Sequence, residues 1–200
     1  MNTAPTLSPP LRLALVAMPG AGKSTVGRLL AKTMAMPFVD LDQQLEARLG
    51  MGIKAFFAQH GESAFRDAEE QQLAMACAQG PMVLATGGGA VLRPANRDLL
   101  HRSCTVVYLR TSPDELFRRL KHDRSRPLLQ VDDPLRKLRE LYKERDPLYR
   151  RTAHFVIETG RPSVHTLANM ILMQLELAGH LDPQRVPASV GAEGPGAALH

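Results

Sequence analysis

Two hundred residues with 44% hydrophobic content suit one globular domain with a full core rather than two. The net charge of +5 raises the question of nucleic acid, but the basic residues form no low-complexity run and aromatics are only 4% of the chain, so the balance points to anionic small molecules instead. Two cysteines without metal-like spacing, no signal-peptide pattern and no bilayer-length apolar segment argue for a soluble chain in the reducing cytosol, with no nucleic-acid or membrane partner.

Residues 1–10 carry three prolines and no periodic pattern, and residues 179–200 lack an apolar stripe, so both are expected as flexible tails around a folded unit at 11–178. Leu11 to Ala17 is a short apolar run ending at a glycine loop, the pattern of a buried parallel strand. Val26, Leu29, Leu30 and Met34 then recur at helical spacing. Phe38 to Asp40 reads as a second strand, followed by helices at Gln43–Leu49, Ile53–Gln59 and Glu62–Gln79. Pro81 to Thr86 is a third strand, stopped by Gly87, Gly88 and Gly89. Thr105 to Leu109 is the fourth, leading to a helix with Ser112 as N-cap and Pro113 at its first position. Asp123 to Asp133 is polar, arginine-bearing and broken by prolines, as expected of a loop between helices. A charged helix at Pro134–Tyr149, a fifth strand at His154–Ile157 and a closing helix at Ser163–Leu177 complete the pattern. Strands alternating with helices predict an α/β fold, a parallel sheet covered on both faces. Met34, Met36, Met75, Met82, Met170 and Met173 fall at core-like spacings, and the seven histidines do not cluster.

The segment Ala17-Met18-Pro19-Gly20-Ala21-Gly22-Lys23-Ser24-Thr25 lies between a predicted strand and a predicted helix, where a phosphate-binding loop belongs. Glycines let backbone N–H groups close around phosphate oxygens, and the helix N-terminus adds a favourable dipole. Lys23 would reach the β- and γ-phosphates of ATP, and the Ser24 hydroxyl would ligate Mg²⁺. The pattern G-x-x-x-x-G-K-S/T has alanine, Ala17, at its first glycine, which is tolerable if that residue keeps a negative φ.

Such a loop serves many functions, and the discriminating residues lie elsewhere. Asp40 and Asp42 are spaced i, i+2 beside the expected phosphate site. Gly61-Glu62-x-x-Phe65-Arg66 follows, then Gly87-Gly88-Gly89, Arg124-x-Arg126-Pro127-Leu128-Leu129 and Arg145-x-Pro147-Leu148-Tyr149. Singly, Asp40 and Asp42 could be a strand end and a helix cap, the glycines a turn, and Arg66 or Arg145 a solvated charge. Together and in this order they resemble the shikimate kinase family from Leu11 to about Leu177. The resemblance implies a three-layer sandwich with a five-stranded parallel sheet in the order 2-3-1-4-5 and a mobile lid. It also implies transfer of the γ-phosphoryl of ATP to the 3-hydroxyl of shikimate, with Mg²⁺.

Shikimate carries one carboxylate and three hydroxyls, so its site needs cationic forks and acceptors. The resemblance makes Arg66 and Arg145 the carboxylate clamp, with Glu69 placed to fix Arg66 or touch a hydroxyl. Asp42 would accept hydrogen bonds from ring hydroxyls, either positioning the nucleophile alone or also acting as its base. Gly87, Gly88 and Gly89 would bring backbone against the substrate. Asp40 would hold Mg²⁺ alongside Ser24, and Arg126 would fold over the transferring phosphoryl. Arg119, Arg161 and Pro162 fall where the family contacts adenine. A monomer is expected. A related small-molecule kinase, such as a gluconate kinase or nucleoside-monophosphate kinase, and a non-catalytic nucleotide-binding module are the alternatives.

Overall fold

The computed structural model describes residues 11–121, 131–160 and 162–181. Five parallel strands, β1 (Arg12–Val16), β2 (Phe38–Asp40), β3 (Met82–Ala85), β4 (Thr105–Arg110) and β5 (Phe155–Glu158), form one sheet in the order β2-β3-β1-β4-β5, as expected. The central strands are apolar without alternation because both their faces are covered: Leu13, Ala14, Leu15, Val16 and Val83, Leu84 are fully buried. Seven helices surround them: α1 (Lys23–Thr33), α2 (Leu41–Leu49), α3 (Ile53–Cys77), α4 (Pro94–Ser103), α5 (Pro113–Leu120), α6 (Pro134–Thr152) and α7 (Val164–Leu177). Helices α1 and α7 pack together on one side, and α3, α4 and α6 pack together on the other.

The chain leaves β1 toward β2 on one side of the sheet and leaves β3 toward β4 on the other, so a crevice opens at the carboxyl ends of β1 and β3. The loop from Pro19 to Gly22 follows β1 and Gly87–Gly89 follow β3, so both border that crevice.

Several expected boundaries move. Helix α2 starts at Leu41 rather than Gln43, because the Asp40 side chain accepts from the Gln43 N–H and caps it. Asp42 therefore stands in the first turn of α2 and not at a strand end. The two helices expected at 53–59 and 62–79 abut without a loop, the break being Gly61 at φ 78° and ψ 175°, a conformation only glycine adopts readily. Helix α4 was not among the expected elements. Its residues PANRDLLHRS bury only Asn96 and Leu100, which leaves little periodic signal. Helix α6 runs three residues past Tyr149 and carries Pro147 on an exposed face. Met34, Met36, Met82 and Met170 belong to the core or pack against it, but Met75 and Met173 are 45% and 52% exposed and do not. Cys77 and Cys104 are buried and free.

The end of α7 is closed by Gly179 at φ 72°, whose N–H donates to the Glu176 carbonyl while His180 N–H donates to Leu175. This paired closure is accompanied by Leu181 packed against the core. Residues 1–10, 182–200 and most of the expected lid, 122–130, lie outside the described residues.

The same closure ends α1, but with alanine in the glycine position. Ala35 N–H donates to Lys32 and Met36 N–H to Ala31, while Ala35 sits at φ 51°. Left-handed backbone costs an alanine about 1 kcal/mol more than a glycine, part of which glycine returns as unfolded-chain entropy. Ala35→Gly is therefore expected to stabilise the fold by about 0.5 kcal/mol, read as a higher urea midpoint with an unchanged slope.

Candidate functional site

The loop after β1 closes on itself as a phosphate cradle requires. Gly20 and Gly22 have φ of 83° and 93°, and a Cβ on Gly20 would stand 2.6 Å from Leu120 Cδ1 of α5. Ala35 is the one non-glycine residue with positive φ among the described residues, so Ala17 meets the condition set for it. Ala17 is fully buried, and its carbonyl accepts from Lys23 Nζ at 3.1 Å, with Met18 O at 3.3 Å. Ala21 is buried and its N–H donates to Met18 O at 3.2 Å, so that amide serves the turn. Ser24 Oγ donates to Asp40 Oδ2 at 2.7 Å. Asp40 thus caps α2 and also accepts from the loop serine beside which it is expected to hold Mg²⁺.

A cavity of about 510 Å³ is lined by Gly20, Gly22, Lys23, Ser24, Thr25, Asp40 and Asp42, with Pro19, Thr86, Gly88 and Gly89. A second, of about 600 Å³, is lined by Arg66, Glu69, Asp42 and the three glycines, and by Ile53, Lys54, Phe57, Phe65 and Pro19. Asp42, Pro19, Gly88 and Gly89 line both. A lysine-bearing cavity along the phosphate loop therefore adjoins a mixed apolar and cationic one, with a carboxylate at the junction.

The second cavity is built mainly by α3. Arg66 and Glu69 lie one turn apart, and Arg66 Nη1 reaches Glu69 Oε2 at 2.7 Å. Glu62, exposed on the same helix, accepts from Nε and Nη2 at 3.3 and 3.1 Å. The guanidinium also lies over the Phe65 ring, 5.3 Å from its centroid. Glu69 thus fixes the arginine, one of the two roles expected of it. Burial pushes the Glu69 carboxyl above the usual carboxylate range, against the pull of Arg66. Asp42 is raised for the same first reason; Lys23 opposes the rise, and Asp40 and Glu46 add to it.

The glycines owe their identity to the protein's own side chains as well as to any ligand. A Cβ on Gly87 would stand 2.6 Å from Asp42 Oδ1, one on Gly88 2.7 Å from Pro19 Cγ, and one on Gly89 2.6 Å from Arg66 Nη2. Gly89→Ala is expected to displace the Arg66 fork and weaken acceptor binding about tenfold, since overpacking of this kind costs about 1–3 kcal/mol. Nucleotide titration should be unchanged, which checks that the phosphate loop survives.

Arg145 approaches from behind this wall. Its Nη1 donates to Gly88 O at 3.3 Å, and its buried Nε meets no acceptor. Tyr149, fully buried, donates its hydroxyl to the same carbonyl at 2.6 Å and stacks on Tyr108 with centroids 4.9 Å apart. Asp146 collects Tyr108 Oη, Arg110 Nε and Arg150 Nε at 2.9, 3.2 and 2.8 Å. Asp146 and Tyr149 both fall within the Arg145–Tyr149 motif, where the sequence alone points to no role for either. Tyrosine and aspartate in a helix are ordinary until the partner carbonyl is known.

Arg119 lies apart from both cavities. Its guanidinium donates to the carbonyls of Thr159 and Gly160 and to Glu115, tying α5 to the turn that precedes Pro162. Arg161, Arg124 and Arg126 lie outside the described residues. No group of three or more histidine, cysteine or acidic side chains suited to a metal occurs among the described residues, and no helix among them is long and apolar enough to cross a membrane.

Comparison with known proteins identifies the family of the chain. The profile of the family described as shikimate kinase matches residues 19–176. A shikimate kinase of Burkholderia thailandensis is 56% identical over 171 residues, covering 86% of this chain and 93% of the relative. One from Paracidovorax citrulli is 53% identical over 178 residues, covering 88% and 97%. Among solved structures, shikimate kinase from Acinetobacter baumannii in complex with shikimate superposes with a TM-score of 0.80 at 43% identity, covering 88% of this chain and 97% of that one. Shikimate kinase from Aquifex aeolicus gives 0.75 at 29% identity, covering 84% and 98%. From the profile match and these identities, the chain belongs to the shikimate kinase family, whose kinases use ATP as co-substrate.

Proposed function

We propose that the chain transfers the γ-phosphoryl of ATP to the 3-hydroxyl of shikimate, giving shikimate 3-phosphate and ADP. The observation that carries this reading is the pair of adjoining cavities that share Asp42. A donor phosphate on the Lys23 side and an acceptor hydroxyl on the Arg66 side would meet at that carboxylate. Phosphoryl transfer asks little covalent chemistry of a protein, so catalysis is chiefly placement and neutralisation of charge.

In this proposal Gly20, Gly22 and Thr25 place the phosphates, with Ala21 adding backbone, and Lys23 exchanges its loop carbonyls for phosphate oxygens. Arg66, braced by Glu69, and Arg145, whose buried Nε has no other acceptor, hold the shikimate carboxylate. Gly87, Gly88 and Gly89 give the ring its backbone wall. Asp42 accepts the 3-hydroxyl hydrogen bond, and its burial-raised pKa makes it a stronger base than a solvated aspartate when it takes the proton. Arg126 neutralises the transferring group as the lid, residues 123–134, closes. Arg119, Arg161 and Pro162 border the adenine.

Ser24 and Asp40 offer a hydroxyl and a carboxylate on the wall of the phosphate cavity, a hard oxygen set that suits Mg²⁺ completed by water and phosphate oxygens. When bound there, the ion would offset charge between the β- and γ-phosphates. The proposal further takes one kinase unit at residues 11–178, acting as a monomer in the cytosol without nucleic-acid or membrane partners.

The position of transfer is tested by phosphorus and proton NMR of the product made with MgATP and shikimate. Coupling of phosphorus to the ring proton at carbon 3 is expected. Coupling at another carbon, or no phosphorylated product, contradicts the proposal.

A further inference from the structure

A third cavity, of about 450 Å³, lies at the opposite end of the sheet, where Arg12 begins β1 and Thr105 begins β4. Arg12, Cys77, His101, Arg102, Cys104 and His154 are among the residues that line it, and none has a part in the kinase chemistry above. Cys77 is the last residue of α3 and Cys104 caps the end of α4, so two separate elements bring them together. Their sulfurs are 3.8 Å apart, and both side chains are buried except toward the cavity.

We propose that Cys77 and Cys104 form a dithiol site that a small peroxide converts to an intramolecular disulfide. Two observations carry this independently of the kinase reading. The sulfurs already touch, so reaching the bonded separation of about 2 Å asks each to move by only about 1 Å. The cavity admits a molecule the size of hydrogen peroxide to a pair that the core would otherwise seal. Metal binding is the other use of paired thiols, but no third ligand joins them among the described residues.

The chemistry divides into two displacements. Cys77 thiolate attacks one peroxide oxygen, the O–O bond breaks, and the hydroxide released takes a proton to leave as water. Cys77 is then a sulfenic acid. Cys104 attacks that sulfur, its thiol proton joins the departing hydroxyl as a second water, and the S–S bond forms. Two thiols are oxidised by two electrons in total, and one peroxide is reduced to two waters. Cys77 is the first nucleophile because its hydrogen bond with Cys104 lowers its thiol pKa, whereas that same contact, with burial, pushes Cys104 up.

The bridge would tie the end of α3 to the start of β4, away from the crevice at the carboxyl ends of the strands. Kinase turnover should therefore be kept, and the oxidised chain should resist unfolding better.

The test is intact mass and peptide mapping of the purified full chain after hydrogen peroxide, quenched with an alkylating agent. The expected result is a loss of about 2 Da, a cross-linked peptide pair holding Cys77 and Cys104, and reversal by dithiothreitol. Cys104→Ser should instead leave Cys77 as a sulfenic acid that dimedone traps. Two alkylated cysteines, oxygen added without a cross-link, or only intermolecular dimers would each overturn the proposal.

Discussion

Asp42→Asn is expected to lower kcat for shikimate by about 10²- to 10⁴-fold, the usual contribution of a positioned base, while nucleotide affinity stays near that of the parent. Asparagine keeps the shape and can still accept a hydrogen bond, so acceptor KM should change far less than kcat. This split is diagnostic, because a merely structural aspartate would move both or neither. The same residue sets a pH dependence. Burial raises the Asp42 pKa, so activity that needs the carboxylate falls as pH drops through a value above the ordinary aspartate range. Asp42→Asn should remove that acid limb from the residual rate.

The effect on stability has the opposite sign. A carboxyl whose folded pKa is raised binds its proton more tightly folded than unfolded, so stability falls as pH rises from the ordinary aspartate value to the raised one. Above that window the ionised group weighs against folding, and the neutral amide does not. The variant should therefore be less active but at least as resistant to urea at neutral pH. Steady-state kinetics over pH, paired with urea titration, reads both effects.

Arg66→Ala should be the second large loss, and it should act on binding and folding together. The guanidinium is positioned by Phe65, Glu62 and Glu69, the last of which is 2% exposed at its side chain. Alanine removes the fork proposed for the carboxylate and leaves Glu69 buried beside an empty partner position. A fall in kcat/KM for shikimate of about 10²-fold or more is expected, since hydrogen bonds between charged groups contribute about 1.5–3 kcal/mol each. Leaving one partner of a buried pair unmatched costs about 3 kcal/mol of stability, reduced here to the extent that Glu69 takes up a proton. Arg66→Ala,Glu69→Gln should recover much of the stability and none of the shikimate affinity. Recovery of both would mean that Arg66 only braces the helix.

The parts of the site legible in the sequence were those governed by backbone. A strand, a glycine-bearing loop and a helix in succession leave few alternatives, and Gly20, Gly22, Lys23 and Ser24 lie in the cavity wall as that succession implied. The parallel sheet was equally legible, because strands buried on both faces are written as unbroken apolar runs. Arg66 and Arg145 were not readable from chemistry alone; charged residues on helices look the same in solvent, and only their order among the other motifs set them apart.

What escaped the sequence depended on contacts across the fold. Tyr149 matters because Gly88 presents a carbonyl to it 61 positions away in the chain, which no local pattern encodes. Gly89 is expected to bring backbone against a substrate, and nothing in the sequence signals that Arg66 also occupies the space a side chain would need. Helix α4 escaped because a helix that buries two of ten residues has almost no periodicity to display. Met75 and Met173 repeat at helical spacing yet face outward, since spacing fixes a face of a helix and not what covers it.

The central claim is that this family fold is built here for shikimate rather than for another acceptor. The most direct measurement is acceptor-dependent ADP release with MgATP, with shikimate, gluconate and nucleoside monophosphates offered in parallel. Rapid release with shikimate alone, lost in Asp42→Asn, is the expected result; equal or faster release with gluconate or a nucleotide, or nucleotide binding without release for any acceptor, would contradict it.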